Sequence, residues 1–221
     1  MKKFKVDVSV IGRFHAFNLA KTLQDNDLLN KLFSTLPYGK AKIFGIKKEN
    51  YVSAFICEII VRILRKFKYL QAQKVEYTYH HCYMKSLNTY IKDSKADIFI
   101  GFAGVSLDAM KTAKEKGMIV ILERGSSHRR FQQNILREEY ERQGIKTCRD
   151  FTEKEEVFQR EMKEYELADY ISIPSSFAKR TFLEEGISEK KLLVNPYGVD
   201  LSEFKKKKKE DNIFRIIYVG G

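Results

Sequence analysis

The sequence lacks tryptophan altogether and contains only 3 prolines, 3 cysteines and 12 glycines among its 221 residues. Scarce proline and glycine, together with 43% hydrophobic residues, exclude a disordered chain and predict a substantial buried core. Cys57, Cys82 and Cys148 are widely spaced and form no Cys-x-x-Cys pair, which argues against a disulfide framework and a thiolate zinc site. We therefore expect a cytoplasmic protein in a reducing environment.

Long apolar runs are missing as well. The best candidate, residues 54–61, is interrupted by Glu58 and followed by Arg62, so it falls short of the roughly 20 apolar residues that cross a bilayer. Two lysines precede an apolar stretch at the amino terminus, but Asp7 interrupts it and no small-residue cleavage site follows, unlike in a signal peptide. We therefore expect a strand of the fold at this end and no integral membrane protein.

Acidic residues are outnumbered: 29 Asp and Glu stand against 41 Lys and Arg, which gives a net charge of +12. Five of the lysines form one run at 205–209. A basic surface favours anionic partners, namely phosphorylated substrates, acidic lipid headgroups or nucleic acid. A lysine-rich surface that only keeps the protein in solution explains the charge equally well, and both interpretations stay open here.

Short strand-like segments alternate with helical patterns through most of the chain. Apolar runs predict strands at 4–11, 31–36, 96–102, 118–122, 169–173 and 192–195. Apolar residues at helical spacing predict helices at about 14–24 and 153–167, with others after residues 104, 127 and 175. This alternation implies parallel pairing through right-handed crossovers. We therefore predict a doubly wound, mostly parallel α/β sheet flanked by helices, Rossmann-like in class, as one domain plus a carboxyl-terminal fragment.

The first predicted strand is unusual because Asp7 and Ser9 alternate with valines, a more two-faced pattern than a central parallel strand normally has. Two helical stretches, 51–67 and about 80–91, also interrupt the strand–helix alternation. The first carries four cations among its isoleucines and phenylalanines: Arg62, Arg65, Lys66 and Lys68. Such a helix can lie on an anionic membrane, but packing on the sheet with its cations in water is the favoured interpretation.

The carboxyl-terminal residues predict the beginning of a second unit. Residues 213–219 form a strand-like segment, IFRIIYV, which ends in two glycines with no helix after it in this sequence. A polar, lysine-rich stretch precedes it. We therefore predict an amino-terminal domain at 1–200, a linker at 201–212 and, at 213–221, the first strand of a domain that is absent here.

Polar residues follow several predicted strands, where an open parallel sheet binds its ligands and helix N-termini offer backbone amides. Such segments lie at 12–15, 101–106, 123–128 and 174–176. The richest places Glu123, Arg124, Gly125, Ser126, Ser127 and His128 at one strand end.

A carboxylate or an imidazole in this segment could act on a substrate hydroxyl, and Arg124 could hold a phosphate or carboxylate. A purely structural role, with Ser127 as a helix cap and Glu123 paired with Arg124, remains open. Templates for a serine hydrolase, a Walker loop and a dinucleotide fingerprint are not matched. The His-His-Cys triplet at 80–82 predicts no metal site, since consecutive helical residues point apart.

The last part of the predicted domain resembles the family 4 glycosyltransferases, which are of the GT-B type. The resembling residues are Tyr165-Glu166-x-Ala168-Asp169-Tyr170-Ile171-x-Ile173-Pro174-Ser175-x-Phe177, followed by Phe182, Gly186, Lys191, Pro196-Tyr197-Gly198-Val199-Asp200 and Phe204. Upstream, Arg13-Phe14-His15-Ala16-Phe17-x-Leu19-Ala20 and the 123–128 segment, with Glu138-Glu139-Tyr140 and Gly144, resemble a subgroup of that family. The loop after the first strand departs from the family's common Gly-Gly form.

This resemblance implies an enzyme with two Rossmann-like domains facing a cleft. The amino-terminal domain would hold a glycan or lipid-linked acceptor, and the other would bind the nucleotide-sugar donor and supply paired glutamates that this sequence lacks. Transfer would be retaining, with no metal and no cofactor besides the nucleotide sugar, and the chain by itself would be inactive. The implied catalytic residues are Glu123, Arg124 and His128. The implied acceptor contacts are Gly12, Arg13, His15, Gly125, Ser126, Ser127 and Ser175.

An alternative from another class is a non-catalytic basic α/β module. It would dock on an anionic membrane, at the inner face of the cell membrane, or on nucleic acid, through the 62–68 cations and the lysines at 205–209. Nucleic acid is the less favoured of these partners, because aromatic stacking residues are not interleaved with the basic ones.

Overall fold

The computed structural model describes residues 4–66, 72–145 and 155–198, and beyond them 201, 204–205, 208 and 210–218. In these residues seven strands form one parallel sheet of order β3-β2-β1-β4-β5-β6-β7. The strands are β1 (Val6–Val10), β2 (Leu29–Ser34), β3 (Tyr51–Ser53), β4 (Ile98–Phe102), β5 (Ile119–Glu123), β6 (Tyr170–Ile173) and β7 (Leu192–Val194). This order reverses direction at β1, so the predicted doubly wound, Rossmann-like α/β fold is confirmed.

Eight α-helices connect or follow the strands in the described residues. They are α1 (Ala16–Asp25), α2 (Tyr38–Ile43), α3 (Phe55–Leu64), α4 (Ala72–Asp93), α5 (Leu107–Glu115), α6 (Arg129–Arg142), α7 (Glu155–Leu167) and α8 (Ser176–Glu184). None of the helices in this part of the chain has both the length and the apolar character needed to cross a bilayer.

Side chains on the two faces of the sheet enter two separate hydrophobic cores. Neighbouring residues of a strand alternate between them, as Leu32 and Phe33 do in β2. The smaller core surrounds Phe17 of α1, and the larger one includes Tyr83 of α4 and Phe182 of α8. Because both faces are covered by helices, the sheet can bind a ligand only at its edges or ends.

The polar residues of β1 are buried, which resolves the two-faced pattern of this strand. The Asp7 carboxylate accepts hydrogen bonds from Asn30 Nδ2 at 2.7 Å, Tyr90 Oη at 2.8 Å and the Ser94 hydroxyl. Burial raises the pKa of Asp7, although these hydrogen bonds lower it in part. A central strand therefore carries an acid here because partners from β2, from α4 and from the residue that follows α4 satisfy it.

Several predicted element boundaries were wrong in detail. The predicted helix at 51–67 begins with the edge strand β3, in which Val52 pairs with Phe33, and the helix itself starts only at Phe55. The strand predicted at 31–36 is shifted to Leu29–Ser34. Helix α2 was not predicted, since six residues including a glycine give little periodic signal.

The expectation that the cysteines are unpaired was also wrong. Cys57 of α3 and Cys82 of α4 form a disulfide, with their Cα atoms 5.8 Å apart. Their 25-residue separation hides the pairing, because only the packing of α3 on α4 brings the two sulfurs together. Unpaired cysteines therefore no longer support the predicted reducing environment. Cys148 and Lys68 lie outside the described residues.

The predicted final strand does not form a ladder in the described residues 213–218. Its apolar side chains are exposed: Ile213, Phe214, Ile216, Ile217 and Tyr218. The domain boundaries predicted at 200 and 212 therefore stay predictions.

Candidate functional site

A cleft of about 650 Å³ opens at the carboxyl ends of β1, β4 and β5. Three of the four predicted loop segments contribute to it: the one after β1, the one after β4 and the 123–128 segment. Among the predicted site residues, the cleft is lined by His15, Glu123, Arg124, Gly125 and Ser126. The parallel sheet brings them together, because its strands end at one rim although 108 residues separate His15 from Glu123 along the chain.

Glu123 is the last residue of β5 and is 4% exposed at the floor of the cleft. Its Oε1 lies 3.1 Å from Nε2 of His15, the residue that precedes α1. This distance suits an ion pair. The geometry does not suit a hydrogen bond, however, so the buried Nε2 atom has no hydrogen-bond partner among the described residues. A buried carboxylate beside an imidazole provides both a proton acceptor and a group that can stabilise its charge.

Aromatic rings form the walls around this pair. The His15 ring lies 5.1 Å from the Phe102 ring and 4.5 Å from the Tyr197 ring. Phe14 is 71% exposed at the mouth and has a positive φ of 39°, a strained conformation for a bulky residue. The cleft thus combines apolar ring faces with a few polar groups, as small-molecule sites do.

Tyr197 packs closely against the backbone of the 123–128 segment. A Cβ at position 125 would clash with the Tyr197 hydroxyl, so a larger residue there would have to push the tyrosine side chain away. Burial raises the pKa of Tyr197, and the nearby Glu123 charge adds to the effect. The tyrosine lies in the Pro-Tyr-Gly part of the resembling sequence but was not predicted as a site residue.

Arg124 does not pair with Glu123, contrary to the structural alternative considered from the sequence. Its Nε lies 3.2 Å from Glu161 Oε1 of α7 and donates to the Ser127 carbonyl at 3.2 Å. The Glu161 carboxylate also accepts a hydrogen bond from the Tyr165 hydroxyl. Arg124 is therefore held against α7 with its guanidinium partly at the cleft surface.

A second buried acid of α7 binds the loop that forms another wall. Glu164 accepts hydrogen bonds from the backbone amides of Gly104 and Ser106, the latter at 2.7 Å. Burial raises its pKa to about 7, although the amide bonds lower it in part. An internal carboxylate thus already occupies two backbone amides of the loop that leads into α5.

The structure places His128 outside the cleft lining and so does not support the predicted catalytic role. The residue is 3% exposed and caps α6, with Nδ1 accepting from the Arg130 amide at 3.3 Å. Its ring packs on Tyr165 and Phe182 with centroids 4.8 and 5.0 Å away. Burial, helped by the charges of Arg130 and Arg124, lowers the pKa of His128 to about 4. The imidazole is therefore a neutral cap, and the predicted cap at Ser127 was wrong.

Four further predicted residues lie near the rim but do not line the cleft. Gly12 turns the chain after β1 with a positive φ of 69°. The Arg13 guanidinium stacks over the Phe44 ring at 5.3 Å. Ser127 offers its carbonyl to Arg124, and the Ser175 hydroxyl caps α8. Their positions indicate roles in shaping the loops.

Sequence reasoning missed Phe102, Tyr197, Glu161 and Glu164. The two acids are spaced three apart in a charged helix, so the sequence pattern resembles a solvated face. A signal was present, since Glu161, Glu164, Tyr165 and Ala168 share one helical face. In the described residues no group of three or more His, Cys, Asp or Glu could hold a metal ion.

No family model and no curated protein matches this sequence. Solved structures of nucleotide-sugar proteins match its fold. A UDP-N-acetylglucosamine 2-epimerase has a TM-score of 0.53 at 16% identity over 87% of this chain and 48% of its own. TcCGT1, solved in complex with UDP, has a TM-score of 0.55 at 14% identity over 95% of this chain and 54% of its own.

The UDP-GlcNAc 2-epimerase of Methanocaldococcus jannaschii, solved with UDP-GlcNAc and UDP, has a TM-score of 0.53 at 13% identity and covers 86% of this chain and 46% of its own. The chain thus spans about half the length of the structures it matches. These likenesses show that it has a Rossmann-like α/β fold.

Proposed function

We propose that this chain is the acceptor-binding half of a GT-B glycosyltransferase that uses a nucleotide-sugar donor. The central observation is the buried Glu123 carboxylate, 3.1 Å from His15, at the floor of an aromatic-walled cleft. The resemblance of residues 165–204 to family 4 glycosyltransferases and the fold shared with UDP-sugar proteins support the proposal.

The cleft chemistry suits a carbohydrate. The apolar face of a sugar ring can lie on Phe102 and Tyr197, while its hydroxyls reach Glu123 and the polar groups at Ser126. In the transfer step the bond from the donor's anomeric carbon to the nucleotide phosphate breaks, and a bond to the acceptor oxygen forms. Glu123, positioned beside His15, orients the acceptor hydroxyl and takes its proton, so the carboxylate becomes a neutral acid while the nucleotide leaves as a phosphate anion. Retention of configuration and a glycan or lipid-linked acceptor remain parts of this proposal.

The donor is assigned to a second domain of the same fold, as the resemblance implies. Within the described domain, Glu164 already accepts hydrogen bonds from the Gly104 and Ser106 amides of the loop before α5, which leaves fewer amides there for a nucleotide phosphate. The 221-residue chain should therefore bind saccharides through the cleft and nucleotide sugars weakly. No metal is needed for either interaction.

Saturation-transfer NMR with a panel of mono- and disaccharides tests this proposal on the chain as it stands. We expect magnetisation transfer to ring protons of at least one saccharide, and about tenfold weaker binding by Glu123→Gln, since a hydrogen bond to a charged acceptor contributes about 1.5 kcal/mol or more. Glu115→Gln, an identical change at an exposed position near the end of α5, should leave the signal unchanged.

Three results would contradict the proposal. The first is no transfer to any saccharide. The second is tight calorimetric binding of a UDP-sugar by this chain, which would assign it to the donor side. The third is formation of the C2 epimer of UDP-GlcNAc, which would make it an epimerase domain instead.

A further inference from the structure

Helix α3 exposes a stripe of three isoleucines. Ile56, Ile59 and Ile63 are 57%, 40% and 51% exposed. Their spacing of three and four residues places them on one side of the helix, because α-helical neighbours on a face recur at that interval. The opposite side holds the helix in the domain, since Cys57 and Val61 are buried in it.

Cations border this stripe. Arg62, Arg65 and Lys66 are exposed at the carboxyl-terminal end of the helix, and the Arg62 guanidinium lies over the Phe55 ring at 5.7 Å. Glu58, the one acidic residue in the sequence of α3, accepts a hydrogen bond from Tyr79 of α4 and so points toward its neighbour. The outer side of α3 is therefore apolar and positive without an acidic side chain of its own.

We propose that α3 docks this domain on an anionic lipid bilayer, with Ile56, Ile59 and Ile63 inserted among the acyl chains near the surface. Arg62, Arg65 and Lys66 then lie at the level of the headgroup phosphates. A helix with an apolar stripe beside a basic one binds membranes by combining buried area with electrostatic attraction. Charge complementarity favours this partner over an uncharged protein surface, because the whole chain is also basic at +12.

This docking does not depend on the proposed glycosyl transfer. The disulfide between Cys57 and Cys82 ties α3 to α4, so the inserted stripe is linked covalently to the neighbouring helix. Because α4 also contributes His80 to the cleft lining, docking would hold the cleft at a defined place relative to the membrane.

Co-sedimentation with vesicles of mixed phosphatidylglycerol and phosphatidylcholine tests the proposal. We expect binding that weakens at least about tenfold in Ile56→Gln/Ile63→Gln, since each inserted side chain contributes through its apolar area. The matched control Ile135→Gln removes an isoleucine that is 47% exposed on α6 and should bind as the wild type does. Arg62→Gln/Lys66→Gln should also weaken binding at least about tenfold, whereas Arg137→Gln/Arg142→Gln should have a smaller effect.

A spectroscopic measurement keeps the test valid if a double variant folds poorly. The chain has no tryptophan, so Ile59→Trp introduces a single reporter on the stripe. Its emission should shift to shorter wavelength when the anionic vesicles are added, and that of Ile135→Trp should not.

Several results would overturn the proposal. One is the absence of vesicle binding, and another is equal binding by the isoleucine variants together with complete loss at high salt, which would mean charge attraction alone. A tryptophan at position 59 whose emission does not shift would exclude insertion. A concentration-dependent dimer of the free protein that Ile56→Gln abolishes would instead assign the stripe to a second copy of the chain.

Discussion

The buried cap at His128 makes a prediction about stability and pH. In the folded protein its pKa lies at about 4, against 6.5 for the free side chain. Below pH 6.5 the imidazole therefore binds a proton in the unfolded state but stays neutral in the folded state. The free energy of unfolding falls for this reason as the pH is lowered to about 4. The full difference corresponds to about 3 kcal/mol of unfolding free energy, at about 1.4 kcal/mol per pKa unit.

His128→Asn isolates this effect, because asparagine keeps a cap acceptor for the Arg130 amide and removes the titration. At neutral pH the variant should be less stable by about 2 kcal/mol, since Tyr165 and Phe182 lose a packed ring. Urea unfolding followed by circular dichroism should show the wild type losing this advantage as the pH falls from 6.5 to 4 and ending about 1 kcal/mol less stable than the variant. Subtracting the two curves is necessary because the protonation of Glu164 acts in the opposite direction.

His81→Asn, which removes an exposed imidazole of α4, serves as the control and should run parallel to the wild type. A constant difference between wild type and His128→Asn over the whole pH range would refute the assignment of a neutral, buried imidazole at this position.

Three further predictions concern the core and the rim. Glu164→Gln should gain up to about 3 kcal/mol of unfolding free energy relative to the wild type as the pH rises from 4.5 to 7, because ionising the buried Glu164 destabilises the folded state. Urea denaturation at both pH values measures this, and a difference that does not change with pH would refute it. Gly101→Ala should lower the free energy of unfolding by about 2 kcal/mol, because its Cβ would lie 2.6 Å from the buried Ser106 hydroxyl. The control Gly39→Ala in α2 adds a Cβ in open space and should be neutral or slightly stabilising. Equal unfolding midpoints for the two variants would contradict this. Phe182→Ala, at a fully buried core position, should cost about 3 to 5 kcal/mol, and a loss below about 1 kcal/mol would show that the site collapses around the deletion.

Much of the sheet could be predicted from the sequence because its strands are short apolar runs followed by glycine or polar residues. The common rim followed from parallel topology alone, and it placed His15 beside Glu123 across a long stretch of chain. The edge strand β3 escaped prediction because three residues carry almost no periodic signal and their pairing with β2 is a tertiary effect.

The details of the site depend on partners that are distant in sequence. An imidazole at a strand end predicts chemistry, yet His128 lies against Tyr165 and Phe182 and serves as a cap. In α7 the sequence pattern hides inward-pointing residues: Glu161 and Glu164 look like part of a solvated charged helix but point inward to Arg124 and to the Gly104 loop. In both cases the helix that covers the residue decides its role, and local spacing does not specify that packing.

The most direct test of a sugar-binding cleft is to map saccharide binding onto backbone amides by two-dimensional ¹⁵N NMR. We predict that a saturating saccharide shifts the amides of Gly104, Gly125 and Ser126 around the cleft, and leaves those of Gly117 and Asp169, at the opposite end of the sheet, unchanged. Shifts confined to the Gly117 and Asp169 end, with none around Glu123, would contradict the account.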